Sequence, residues 1–211
     1  MQQEIANYLA SLEFSVKEEQ VEQIAEYASQ LWQTNERVNL TRHVDIDSFL
    51  TRDVRDSIAL CPHLKQQESV LDIGSGGGIP GILVAILRPD IKVSLAESVG
   101  KKAQALNEFV DALNLQVSVF HSRAEQVVSS NKFNTLTVRA VGSVSKLADL
   151  FHGKWRRFDR LLALKGRNWS NEIDEAGDII KRQKLVAAKI DEYSSHEGTS
   201  TSVIVELKRT R

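Results

Sequence analysis

Residues 71–81 read Leu71-Asp72-Ile73-Gly74-Ser75-Gly76-Gly77-Gly78-Ile79-Pro80-Gly81. The apolar stretch Val70-Leu71-Asp72-Ile73 predicts a short buried strand, and Pro80 suits the first turn of a helix running through Leu87. Between them the glycines allow backbone to come within contact distance of a ligand. Downstream the rhythm repeats. Lys92 to Ala96, Val117 to His121, Asn134 to Val138 and Arg160 to Leu164 read as strands, and Val99 to Leu113, Ser145 to Phe151 and about Asn171 to Arg182 read as helices. Such alternation implies a parallel sheet. Leu185 to Ile190 and Ser202 to Leu207 alternate as strands and should pair as a hairpin across Glu192 to Thr201.

Upstream the pattern is purely helical. Val21, Ile24, Ala25, Ala28, Leu31 and Trp32 form one stripe, Ile5, Tyr8, Leu9 and Leu12 another, and Phe49, Leu50, Val54 and Ile58 define a helix from about Asp47 to Leu60. Residues 1–65 are therefore expected to form an all-helical N-terminal extension, and residues 66–211 a Rossmann-like α/β domain.

Three ligands compete for the glycine loop. A phosphate-binding loop needs Gly-x-x-x-x-Gly-Lys-Ser/Thr, which is absent. Gly76-x-Gly78-x-x-Gly81 matches the dinucleotide pattern formally, but it begins four residues beyond Asp72, and Pro80 stiffens the turn where a pyrophosphate would meet amide donors. The frame Asp72-x-Gly74-x-Gly76-x-Gly78 looks like the first motif of class I methyltransferases, which bind S-adenosylmethionine. Glu97, ending the next strand, and Asp72 are expected to project into the crevice, where a carboxylate can accept both ribose hydroxyls. A loop serving only strand–helix packing explains one or two of these glycines, not five.

Composition narrows the remainder. The chain has 211 residues, 42% hydrophobic and 26% charged, which suits one domain with an extension. Its single cysteine, Cys61, excludes an internal disulfide, and no signal-peptide pattern opens the chain, so the cytoplasm is the expected location. Gly76 to Leu87 is the longest stretch free of strongly polar side chains and is too short to span a membrane, so no membrane partner is expected. The histidines His43, His63, His121, His152 and His196 lack metal-ligand spacing, and no metal is expected. The formal net charge is -1, yet residues 1–65 carry 6 Lys/Arg against 11 Asp/Glu while residues 139–211 carry 15 against 10. That asymmetry permits an RNA partner without requiring one.

Further motifs are Asn35-x-x-x-Asn39-Leu40-Thr41, Arg52-x-x-x-Asp56-Ser57, Arg88-Pro89, Glu97-Ser98-x-Gly100-Lys101, Ser122-Arg123-Ala124-Glu125, Arg139-Ala140 and Ala163-Leu164-Lys165-Gly166. Together with the glycine loop they resemble the RsmG (GidB) family, bacterial 16S rRNA guanine-N7 methyltransferases, over about residues 20 to 180. The resemblance implies a class I fold with a seven-stranded, mostly parallel sheet. It implies S-adenosylmethionine as cofactor and a guanine in the 530 loop of 16S rRNA, naked or in an assembling 30S subunit, as substrate; a monomer is expected. Gly74 and Ile79 would contact the cofactor in the first loop, with Gly76, Gly78 and Glu97 beside them. Ala124 and Glu125 would flank the adenine, and Arg139 would close the site. Two positions depart from the family pattern: Asp53 replaces a histidine before the Asp-Ser pair, and Trp155-Arg156-Arg157-Phe158-Asp159-Arg160 replaces a Pro-Gly-Gly turn.

Guanine N7 carries a lone pair and no proton, so methylation there needs no general base, and no acid/base residue is assigned. Arg123, Arg139 and Lys165, at the expected carboxyl ends of the third, fourth and fifth strands, are the candidate substrate contacts. Trp155-Arg156-Arg157-Phe158 suits stacking on RNA bases or a turn with buried aromatics. The polar run Asn35, Arg37, Asn39, Thr41, Arg42 and His43 suits turn chemistry or a lid over an RNA site. A small-molecule methyltransferase and a noncatalytic rRNA-binding assembly factor are the alternative functions.

Overall fold

The computed structural model describes residues 1–195 and 200–210. Seven strands form one sheet in the order β3-β2-β1-β4-β5-β7-β6: β1 (Ser69–Ile73), β2 (Lys92–Glu97), β3 (Ser118–His121), β4 (Thr135–Arg139), β5 (Arg160–Lys165), β6 (Leu185–Ser195) and β7 (Ser200–Arg209). The first five run parallel and β7 is antiparallel to β5. The order reverses between β1 and β4, which makes the carboxyl ends of these strands a natural crevice.

Strand alternation assigns each side chain to a layer. Leu71 and Ile73, Leu136 and Val138, and Leu161 and Ala163 face one core with Val144, Leu147 and Phe151. Val70, Val93, Leu95, Leu162 and Leu164 face the other core with Ile82, Leu106 and Phe109. The N-terminal helices Gln2–Ser11 and Glu18–Val38 bury Ile5, Leu9, Ile24 and Leu31 in that second core. The helical segment thus shares its apolar interior with one face of the sheet.

Tyr27 ties the two together. Fully buried between the rings of Phe49 and Phe109, it donates a 2.7 Å hydrogen bond from its hydroxyl to the Gly77 carbonyl in the glycine loop. Tyr27→Phe strips that carbonyl of a buried donor and should cost about 1 to 2 kcal/mol in a denaturant titration. An unchanged midpoint would show that this bond contributes nothing net.

Several elements differ from the sequence expectation. The stretch expected as one helix over Asp47 to Leu60 contains a π-helical turn, Phe49–Val54, between Ile46–Ser48 and Arg55–Leu60. Within this wider turn Phe49, Leu50, Thr51, Asp53 and Val54 are all buried. The helix expected over Asn171 to Arg182 is two, Trp169–Glu175 and Gly177–Arg182, joined at the fully buried Ala176. A further helix, Ala124–Ser130, was not anticipated; it is one short stretch with only Val127 and Val128 buried, too few to make a periodic pattern. The hairpin strands are longer than expected and pair up to Ser195 opposite Ser200, while 196–199, including His196, lie outside the described residues. Among the described residues no helix is long and apolar enough to cross a membrane.

Trp155 and Phe158 are 6% and 5% exposed and pack against Phe151 with ring centroids 5.0 to 6.3 Å apart. Of the two readings of this turn the buried one holds, because three neighbouring rings satisfy one another better than water would. The turn precedes Arg160 at the amino end of β5, opposite the crevice. Arg160 is itself held there, donating to the His63 carbonyl at 2.5 Å and pairing with Glu68 at 3.2 Å.

Candidate active site at the carboxyl edge of the sheet

The glycine loop leaves β1 with the Gly74 amide donating to the Ala96 carbonyl at 2.9 Å. Most of its glycines answer to packing, contrary to the expectation that packing explains only one or two. A Cβ on Gly81 would strike Leu95 and lie 2.9 Å from Asp72, one on Gly78 would meet Ile82 at 2.5 Å, and one on Gly77 would lie 3.3 Å from the Leu40 carbonyl oxygen. Gly74 (φ +65°) is crowded by Val141 at 2.6 Å. Gly76 differs: it adopts φ +57° and a Cβ there would meet only the Gly74 carbonyl, at 3.8 Å. Of these five glycines only Gly76 has room for a Cβ, while Gly74 is the exposed one that lines the neighbouring cavity.

Glu97 braces the loop. Its two carboxylate oxygens accept from the Gly76 amide at 2.9 Å and the Val99 amide at 2.8 Å, and it is 6% exposed. Each oxygen keeps a second lone pair for a ligand hydroxyl. Asp72 does not project into the crevice as expected. It is 1% exposed and turned beneath the loop, accepting from Thr137 Oγ1 at 3.0 Å and the Gly81 amide at 3.3 Å. The reason is register: Asp72 and Thr137 are paired neighbours on the face covered by the N-terminal helices.

Burial pushes the Asp72 carboxyl up to about 6, against the pull of its hydrogen bonds. A folded pKa above the ordinary 3.8 means that Asp72 contributes stability below that value and loses it as pH rises through about 6. Asp72→Asn cannot ionise. Its stability relative to the parent protein should therefore rise by about 2 kcal/mol between about pH 4 and about pH 8 in denaturant titrations. A difference that stays flat across that range would place the Asp72 pKa near its ordinary value.

Beside the loop, Ile73, Gly74, Ala96, Ser98, Ala124, Glu125 and Val141 line a cavity of about 320 Å³. Its apolar walls and polar rim fit an adenosyl group, so the residues present suit the cofactor that the resemblance implies. Arg123, exposed and preceding the helix Ala124–Ser130, sits on this cavity too. Ile79 is instead buried in the core beside Ile82, 6% exposed, and Gly78 is packed against the same residue.

Arg139 ends β4 on the face that carries Thr135 and Thr137, and so reaches the π-helical turn of the N-terminal segment. Its Nη1 donates to Asp53 Oδ1 at 2.6 Å and Asp56 Oδ2 at 3.2 Å. Asp53 is fully buried, and its Oδ2 has no hydrogen-bond partner among the described residues. The Tyr193 hydroxyl donates to Asp56 Oδ1 at 2.7 Å, and Arg55 lies over the Tyr193 ring at 5.1 Å. Burial alone would lower the Arg139 pKa, but the two carboxylates outweigh it and hold the guanidinium above its ordinary value. Burial raises the Asp56 and Tyr193 pKa values.

Two cavities meet at Arg139. One of about 830 Å³ is lined by the loop Asn39–His43 together with Arg52, Asp56 and Lys102. The other, about 330 Å³, is lined by Asp56, Lys165, Gly166, Glu172 and Tyr193. Lys165 faces the opposite side of the sheet from Arg139, donating to Glu172 at 2.7 Å and the Gly142 carbonyl at 2.6 Å. The structure therefore brings Arg139 and Lys165 to one cavity and leaves Arg123 on another.

A family pattern described as GidB, rRNA small subunit methyltransferase G, matches residues 20–200. The chain belongs to the GidB family. The Ribosomal RNA small subunit methyltransferase G of Rhodopirellula baltica is 49% identical over 153 residues, which is 72% of this chain and 66% of that protein, just under two thirds of its length. The protein of the same name from Photobacterium profundum is 30% identical over 210 residues, covering 99% of this chain and all of that one. Solved structures agree on the fold. A methyltransferase from Pyrococcus furiosus superposes with a TM-score of 0.62 at 12% identity over 88% of this chain and all of that one. A precorrin-6y C5,15-methyltransferase from Geobacter metallireducens superposes with 0.58 at 10% identity over 84% of this chain and 96% of that one. This GidB chain thus has the class I methyltransferase fold expected from its sequence, preceded by its helical segment.

The sequence reading noted Asp53 and Asp56 in a family motif and His43 in a polar run suited to a lid, but gave none of them a site role, and it missed Tyr193 altogether. A signal existed for Asp53: it falls within the apolar face formed by Phe49, Leu50 and Val54, and a carboxylate on a buried helix face needs a partner. Nothing local to position 193 announces the bond to Asp56, 137 residues away in sequence.

Proposed function

We propose that this protein transfers a methyl group from S-adenosylmethionine to N7 of a guanine in the 530 loop of 16S rRNA, acting in the cytoplasm as a monomer. One observation carries the reading: in a member of the GidB family, the segment leaving β4 lines both kinds of cavity, with Val141 on the one at Gly74, Ala124 and Glu125 and Arg139 and Ala140 on the two at Arg139.

S-adenosylmethionine, when bound, supplies an electrophilic methyl group on a positively charged sulfur. Gly74, Ala124 and Glu125 would hold its adenosyl part, with Glu97 and Gly76 beside them. No proton has to leave N7, so the chain's contribution is placement, which is worth up to about 7 to 11 kcal/mol when well realised. The carboxylates of Asp53 and Asp56, already ordered by Arg139, favour the positive charge that develops on the guanine ring. Arg52 and Lys102 line the rim of the larger cavity and suit phosphate contacts.

The test is transfer of labelled methyl to 16S rRNA and to 30S subunits lacking the modification, across a salt series. Label recovered as 7-methylguanosine, with binding that weakens steeply as salt rises, is expected. Cofactor binding without label in any RNA would overturn the assignment and favour a small-molecule acceptor or a noncatalytic assembly role.

A further inference from the structure

The loop Asn39–His43 is fixed at several points. Asn35 Oδ1 accepts from the amides of Leu40 at 2.6 Å and Thr41 at 2.9 Å, Thr41 Oγ1 accepts from the His43 amide at 3.0 Å, and Trp32 Nε1 donates to the His43 carbonyl at 2.9 Å. Leu40 also lies against Gly77 of the glycine loop. What this scaffold positions is the His43 ring, with Nδ1 2.9 Å from Asp53 Oδ1 and 28% of the side chain exposed to the cavity of about 830 Å³.

An ionised carboxylate only accepts hydrogen bonds, so His43 Nδ1 carries the proton of this pair. In the neutral tautomer that donates from Nδ1, the lone pair lies on Nε2. Asp53 is wholly buried and holds Nδ1, while the His43 side chain is 28% exposed and lines that cavity. The same Asp53 oxygen receives Arg139, so one buried carboxylate orients both the imidazole and the guanidinium.

Resting on the guanine reading above, we propose that His43 is a base-contacting residue. Its Nε2 accepts a hydrogen bond from the donor edge of the target guanine, N1–H or the 2-amino group, and Asp53 is the positioning residue behind it. Attack through N7 makes the ring cationic and those hydrogens more acidic, so an acceptor at this edge binds more strongly as the methyl bond forms. Adenine has neither an N1–H nor a 2-amino group, so the same contact selects guanine.

The experiment is a base-analogue cycle in single-turnover methyl transfer, using 16S rRNA carrying guanine, inosine or 2-aminopurine at the target position. Inosine lacks the 2-amino group and 2-aminopurine lacks N1–H. The parent protein should lose about tenfold or more on at least one analogue. His43→Ala should lose a similar factor on guanine, treat that analogue and guanine alike, and bind cofactor as the parent does. His43→Gln, which restores an acceptor, should recover part of the rate, and Asp53→Asn should add little to the loss in His43→Ala. If His43→Ala slows all three bases by one common factor, or weakens cofactor binding to match, the ring is structural and the proposal fails. A parent protein inactive on guanine itself would instead overturn the function proposed above.

Discussion

Arg139→Ala is expected to lower stability by about 3 to 5 kcal/mol and to reduce methyl transfer by about a hundredfold or more. The guanidinium is the cation shared by Asp53, fully buried, and Asp56, largely so. Removing it leaves both carboxylates in a poorly solvated pocket, where breaking one side of an ion pair costs far more than the pair itself contributes. Chemical denaturation of the single variant and of Arg139→Ala/Asp53→Asn separates the causes. The double variant should regain part of the lost stability because one stranded charge is gone, while activity stays low. If the single variant melts like the parent, the cluster does not depend on its cation.

Gly74→Asp should abolish cofactor binding, raising the dissociation constant about a hundredfold or more, with a smaller stability loss of about 1 to 3 kcal/mol. Two effects combine. The residue sits at φ +65°, which a side chain rarely adopts, and its Cβ would lie 2.6 Å from Val141 Cγ2. Val141 lines the same cavity as Gly74, Ala124 and Glu125, so relieving the clash deforms the wall where an adenosyl group would rest. Calorimetric titration with S-adenosylmethionine beside thermal melting distinguishes site damage from general unfolding. Binding retained within a few-fold would mean that the cofactor does not use this wall.

Much of the architecture was legible in the chain itself. Period-two apolar runs alternating with helical stripes gave the parallel order of the first five strands, and a glycine cluster between a strand and a helix located the ligand end of the sheet. These signals are local: each depends on the spacing of neighbouring residues, which backbone geometry converts directly into buried faces. The seven strands lie within a few residues of their expected positions, and the ends of β1, β4 and β5 carry the glycine loop, Arg139 and Lys165 as anticipated.

Only the folded molecule decided how those residues are used. Asp72, with a crevice address in sequence, is turned under the loop because Thr137 and Gly81 meet it there. The glycines that looked like a ligand cradle divide into those where an added Cβ would be crowded by Ile82, Leu95, Leu40 or Val141, and Gly76, where it would not. The Trp155 turn buries its rings rather than offering them to RNA. The cluster of His43, Asp53, Asp56, Arg139 and Tyr193 joins side chains up to 150 positions apart, with Asp53 supplied by the π-helical turn and Asp56 by the helix that follows it. Local spacing fixes which face a side chain takes; which distant charge it finds there depends on how the N-terminal helices pack against the sheet, and burial then makes those pairings obligatory.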